Sequence, residues 1–292
     1  MKTAVLGIDP RKTTSGIGLS RALGLGVLAL AVVLPAACGR RPASATNGGA
    51  AGPPDYMAAG VAYRQTAEGA HKTAVVAAHA YAANSAGSDY PVLTTPPVNT
   101  PESGELALVQ ILTQDGATLG TIRDNMGNVY HRIGNAQTYA EGKAGSELFA
   151  CANAKGGPGQ TWSLVKAAGH ARDEASLYVV DLHGASGIGA WGFSNTEPYG
   201  LRSPLTTTAA GSIVVSFWGP ADYSSSARDP LNPYVAPPGW TLGGQNDNGY
   251  NQTSGAYAWI AVPAANTVLD PQWTSRKSVR ATGSMWLVEA KP

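Results

Sequence analysis

Two stretches about a hundred residues apart follow one order. Thr100-Pro-Glu-Ser-Gly-Glu-Leu-Ala-Leu-Val109 and Thr206-Thr-Thr-Ala-Ala-Gly-Ser-Ile-Val-Val-Ser-Phe-Trp-Gly219 both run through threonine, small or polar residues, a glycine and one polar residue into an apolar, strand-like segment. Each is followed by a second apolar run that ends in an acid, Tyr178-Val-Val-Asp181 in the first and Trp286-Leu-Val-Glu289 in the second. The glycine-to-acid spacing is 77 residues from Gly104 to Asp181 and 78 from Gly211 to Glu289. Matching landmarks at near-equal spacing imply two similarly built halves. Period-two alternation puts Ile213, Val215 and Phe217 on the face opposite Val214, Ser216 and Trp218, and the apolar content of both sets predicts that neither face is open to water. Only 13% of residues are charged, beside 36 Gly and 20 Pro. That profile suits short strands joined by many turns, so the expected fold class is an all-β antiparallel sandwich with little helix.

The amino end has a different character. Residues 1–21 are basic, with Lys2, Arg11, Lys12 and Arg21 against Asp9, and residues 22–37 are apolar apart from Gly and Pro. The run is short for a membrane span and ends Leu34-Pro-Ala-Ala-Cys38. Basic lead, apolar stretch and small-residue site together read as an export signal over 1–38. Its end resembles a bacterial lipoprotein signal with Cys38 as the lipidated residue, although Pro35 stands where an aliphatic residue is preferred. Ordinary cleavage near Ala43-Ser-Ala45 and an uncleaved anchor are the alternatives. Residues 39–60 hold almost no side chain larger than Ala that could be buried, which predicts a flexible tether, and 61–292 are expected to form the sandwich domain. The expected location is the outer membrane or cell surface, or otherwise the secreted fraction. Removing the lead takes the net charge from +1 to −2. A near-neutral protein lacks the clustered Lys and Arg that phosphate backbones require, so nucleic acid is excluded as a partner.

Along the domain, strands are expected at 61–65, 73–81, 105–112, 176–182, 212–218, 239–243, 255–262, 272–278 and 282–290. The second of these could also be a short helix; the third is apolar on both faces and therefore central. Asp124-Asn-Met-Gly-Asn128 and Lys155-Gly-Gly-Pro-Gly159 read as the turns of two hairpins, the first within 118–133 and the second between 146–154 and 161–166. Residues 183–204, with five Gly and two Pro, read as an irregular connection, and 219–238 as a long loop.

No motif commits the chain to catalysis. Gly187-Ile-Gly-Ala-Trp-Gly192 has dinucleotide-fingerprint spacing but precedes no plausible helix. The five histidines, His71, His79, His131, His170 and His183, lack metal-type spacing, and no Gly-x-Ser-x-Gly elbow occurs in the mature chain. Cys151 reads as a small buried residue. The turns at 124–128 and 246–248 do not fit a calcium loop. Asp181 and Glu289, as equivalent strand-end acids, are expected to do the same structural task. No cofactor and no metal is implied. Trp218, Trp259 and Trp286 are expected in the core. Loop aromatics beside amides and carboxylates are the candidate binding surface, because sugar C–H faces stack on such rings. One group is Trp191, Asn195, Glu197 and Tyr199; the other is Asp222, Tyr223, Tyr234 and Trp240. Packing at the rim is the alternative fate of each ring.

Thr121-Ile-Arg-Asp-Asn-Met-Gly-Asn-Val-Tyr130, Glu147-Leu-Phe-Ala-Cys-Ala-Asn-Ala-Lys155, Val179-Val-Asp-Leu-His-Gly184 and the segment 206–217 together resemble a jelly-roll-like β-sandwich domain. That domain recurs in exported bacterial proteins and in phage or virion-associated proteins, generally without an assigned activity. The resemblance covers about residues 60–292. It implies a jelly-roll fold and says little of function. The chain departs from it in long inserts near 82–98 and 219–238, and in His183 where the family often has Ser. Three functions are expected in order: a non-catalytic surface module binding a glycan or an envelope or matrix component, a structural or assembly subunit of a surface or virion structure, and a glycoside-active enzyme.

Overall fold

The computed structural model describes residues 73–84, 89–114, 120–139, 142, 144–196, 204–221, 234–246, 253–275 and 282–292, and every regular element among them is a strand. The first half contains β1 (Val75–Asn84), β2 (Val92–Thr94), β3 (Glu105–Gln114), β4 (Gly120–Asp124), β5 (His131–Tyr139), β6 (Ala144–Ala154), β7 (Trp162–Lys166) and β8 (Ala175–His183). The second contains β9 (Gly187–Thr196), β10 (Leu205–Thr206), β11 (Ser212–Ala221), β12 (Tyr234–Val235), β13 (Thr241–Asn246), β14 (Gly255–Val262), β15 (Val268–Leu269), β16 (Thr274–Ser275) and β17 (Thr282–Lys291). The expected strand at 61–65 lies outside the described residues.

Gly104 and Gly211 both adopt left-handed backbone, with φ of 79° and 74°, a conformation that costs glycine little. Each turns the chain into the middle strand of a five-stranded antiparallel sheet. The strand orders are β1-β8-β3-β6-β5 and β9-β17-β11-β14-β13, so each strand of one sheet has a counterpart in the other. A three-stranded sheet, β2-β7-β4, belongs to the first half, and two short ladders, β10-β15 and β12-β16, to the second. First pairs with eighth, second with seventh and third with sixth. This nesting is that of a long hairpin rolled into two layers, the jelly roll.

The repeat reaches individual hydrogen bonds. Thr100 Oγ1 donates to Gly157 O, 57 residues on, and to Gln160 Oε1, 60 residues on. Thr207 Oγ1 donates to Ala264 O and Thr267 O at the same two separations. Thr207 is therefore the counterpart of Thr100.

Both faces of the large sheets are buried, as the alternation predicts. Leu106, Leu108, Leu112, Tyr178, Val180 and Leu182 from the first half pack on Ile213, Val215, Phe217, Tyr257, Trp286 and Val288 from the second. On the outer face of the first sheet, Val109, Ile111, Phe149 and Val179 meet Leu93, Ile122, Trp162 and Leu164 of the small sheet. On the outer face of the second, Trp218 and Met285 meet Tyr234 and Trp273, while Val214 and Leu287 meet Leu205 and Leu269. Each half is thus a sandwich, and the two share a central core. The largest side chain there, Trp286, is fully buried. Removing roughly 200 Å² of such a ring from water contributes on the order of 5 kcal/mol before entropy is charged against it. Its indole N–H donates to Ser146 Oγ of the other half at 2.9 Å, so the polar atom is satisfied across the seam.

Three connections differ from expectation. Neither glycine-rich turn closes a hairpin: β4 pairs with β7 and β5 with β6, and β6 and β7 lie in different sheets. The Asp124 carboxylate accepts from the backbone N–H of Met126 and of Asn128, which bends the chain over the sandwich edge instead of back along its own strand. Likewise, residues 187–196 are an edge strand, not an irregular connection, because their glycines still offer backbone groups to β17.

Candidate functional site

The sequence-selected aromatics separate on folding. Trp191 and Asn195 lie on strand β9 and not in a loop. The indole of Trp191 lies against Gly134 of the first half, where an added Cβ would come within 2.8 Å of the ring, and 5.9 Å from Trp286, leaving 42% of the residue exposed. Asn195 Nδ2 donates to Thr138 O at 2.6 Å, again across the seam. Tyr234 offers no ring to a ligand. It is 3% exposed and packs edge-on against Trp218, whose large flat face needed a partner. Trp240 is half-buried and packs on both outer clusters of the second half. Trp218 and Trp286 are core, and Trp259 is partly buried against the central cluster that holds Trp286. Cys38, Glu197, Tyr199, Asp222 and Tyr223 lie outside the described residues. Gly187–Thr196 being a strand, the dinucleotide-like glycines have no helix N-terminus to offer a phosphate.

The two strand-end acids occupy equivalent register. Asp181 sits opposite Ala107 and Glu289 opposite Val214, each three residues beyond its glycine. Their surroundings differ. Glu289 is fully buried and accepts from the backbone N–H of Ala190, Thr208 and Ala209, and from the hydroxyls of Thr208 and Ser212, all at 2.8–2.9 Å. Burial alone would raise its pKa, but these donors hold the carboxyl below its ordinary value. Gly189 makes room for it, since a Cβ there would meet Glu289 Oε2 at 2.2 Å. This is a structural staple that ties the loop carrying Thr208 and Ala209 to β9, β11 and β17.

In the first half Glu105 stands where Ser212 stands in the second. Two buried acids therefore meet on neighbouring strands, and no donor group among the described residues reaches Glu105 Oε2 or Asp181 Oδ2. Burial, followed by the charge of Glu105 and a hydrogen bond to it, pushes Asp181 up to about 8, which favours its protonated form at neutral pH. Glu105 Oε1 is also 2.6 Å from Nδ1 of His183, directly opposite on β8. That contact fixes the imidazole and leaves Nε2 to face outward from a half-exposed ring. The expectation that Asp181 and Glu289 do the same task is corrected: the position repeats, but the donor set does not.

His183 lines an open cleft of about 550 Å³, together with Thr73, Gly104, Asn153, Gly184, Ala185, Ser186 and Pro292. Asn153 is the extra residue of a β-bulge, for Glu105 pairs with Ala154 and Leu106 with Ala152. Its φ of 54° is left-handed, which asparagine tolerates better than most residues, and it is exposed. A carboxylate-oriented imidazole beside a free amide can accept and donate hydrogen bonds at one point. Sequence reasoning missed Glu105 and Asn153. The signal was present in Asp181-x-His183, whose period of two sends both side chains to one face, and in the acid that follows Gly104 where Ser follows Gly211.

Fold and site define the class: an all-β protein of two tandem jelly-roll sandwiches whose equivalent strand-end acids have diverged. Comparison with protein-family models, with curated proteins and with solved structures found no match.

Proposed function

We propose that this is a non-catalytic exported surface protein that binds a glycan or another envelope or matrix component. Its carrier observation is the Trp191 indole, held against Gly134 and Trp286 and nearly half open to solvent. A ring fixed in this way loses little freedom when a sugar ring stacks on it, and Asn195 sits two strand repeats away on the same face of β9. Affinity electrophoresis of the full mature chain through gels containing xylan, cellulose derivative or soluble peptidoglycan fragments tests the reading. One of these should retard the protein, with retardation reduced roughly tenfold in Trp191→Ala and retained in Trp191→Tyr. Failure of all three matrices to retard the wild-type chain counts against it.

The address supports the same reading. Lipidation at Cys38 would tether the body through residues 39–60, and mass spectrometry of the native protein should find an acylated amino-terminal Cys38. An unmodified terminus beyond residue 40 favours ordinary secretion. The second reading, an assembly subunit, draws on the uncharged edge strand β1, whose Val75 and Tyr81 are exposed.

A further inference from the structure

We infer that the cleft at the end of the first sandwich is a binding site for a small, neutral, hydroxyl-rich molecule such as a terminal sugar or polyol, held by His183 Nε2 and the side-chain amide of Asn153. It shares no residue with the Trp191 strip and stands whether or not that strip binds a polymer.

The internal repeat supplies the control. At the end of the second half, three backbone N–H groups and two hydroxyls close on Glu289, and the loop carrying Thr208 and Ala209 seals the position. The same register in the first half has no such loop donors among the described residues. There Glu105 is held by His183 at 2.6 Å instead of by loop donors, and the space beyond the imidazole is left open. Structure alone accounts for the sealed version; it does not require the open one.

The cleft's polar groups are also placed for a ligand and not for the fold. Nε2 of His183 and the amide of Asn153 make no hydrogen bond among the described residues, yet both line the same space. Asn153 gets there through a bulge and a left-handed backbone, a conformation glycine would adopt more cheaply. The floor is Gly104, where an added Cβ would meet nothing within 4 Å. An anion would sit close to the negative charge of Glu105, and a cation would find no acidic side chain among the lining residues, because Glu105 and Asp181 are buried. A hydroxyl pair suits both partners, since hydroxyls donate and accept, as do an imidazole and an amide.

The test follows the imidazole resonances of His183 in the full mature chain during titration with glucose, galactose, N-acetylglucosamine and glycerol. At least one should shift His183 saturably at millimolar concentration. Asn153→Gly suits the φ at this position and removes the side chain with its amide; it should keep the melting temperature and weaken the response about tenfold or more. In His183→Gln, which lacks the imidazole reporter, saturation-transfer signals from the bound sugar should be lost while gel retardation by polysaccharide stays as in the wild type. The inference is overturned if no probe shifts His183, if Asn153→Gly binds as the parent does, or if acetate or ethylammonium shifts His183 where all four neutral probes fail.

Discussion

At the scale of residues, the diverged acids give the stability curve two opposite slopes. Glu289 has a folded pKa below its ordinary value, so its contribution is present above about pH 4.5 and is lost as pH falls through the lowered folded pKa. Asp181 has a folded pKa of about 8, above its ordinary 3.8, so its contribution is full below about pH 4 and is lost as pH rises toward 8. Stability should therefore peak in mildly acidic solution. Asp181→Asn keeps the shape, removes the ionisation and gives Glu105 a neutral donor. Urea unfolding at pH 5 and pH 9 should show the parent losing about 2 kcal/mol more between the two than this variant does. Equal losses would mean that the pair ionises without strain. Glu289→Gln should destabilise at neutral pH by about 2 kcal/mol or more, because an amide N–H₂ replaces an acceptor amid five donors. Why Tyr234 is buried and Trp191 is not was illegible beforehand. Both are aromatics with polar neighbours in sequence, and their fates turn on Trp218 and Gly134, far away in the chain.

Among the elements, strands were legible where side chains alternate or where both faces are apolar, as in β3 and β11. Their connections were not. An Asp-Asn-Met-Gly turn dictates a tight bend, but whether the next strand returns beside the last or crosses to the other layer depends on which sheet can bury it. The glycines of β9 likewise hid a strand, because its hydrogen bonds come from backbone and leave no mark in the side-chain pattern. The edges bear on function. β1 runs for ten residues as Val-Val-Ala-Ala-His-Ala-Tyr-Ala-Ala-Asn without lysine, proline or acid, and one of its two sides pairs with no strand among the described residues. Edges of this kind invite pairing with another chain unless something covers them. Placing lysine at the exposed positions Ala77 and Ala83 should leave the monomer folded. If the assembly reading is right, light scattering should show the parent as an oligomer and the double variant as a monomer. A monomeric parent removes that reading.

For the whole molecule, the repeat of Thr-x-x-x-Gly and strand-end acid was enough to count two halves, but not to show that they share a core. The hint lay in the apolar content of both faces of the middle strands: a two-layer sandwich buries only one face of each sheet, so a second buried face demands a third layer. The second half supplies it. Leu106, Leu108, Leu112, Tyr178, Val180 and Leu182 lose their cover if residues 187–292 are removed, and Ser146 loses the indole N–H of Trp286. An apolar face of that extent in water promotes association and leaves packing unspecified. The intact chain should accordingly unfold in one transition by calorimetry, with the calorimetric and van't Hoff enthalpies equal. Residues 73–183 expressed alone should aggregate or bind a hydrophobic dye. Trp286→Ala should cost about 3–5 kcal/mol, the range for emptying a buried aromatic site, and lower the single transition without splitting it. Two separate transitions in the parent, or a soluble first half with native near-ultraviolet dichroism, would show instead that each sandwich folds on its own and that the central core only docks them.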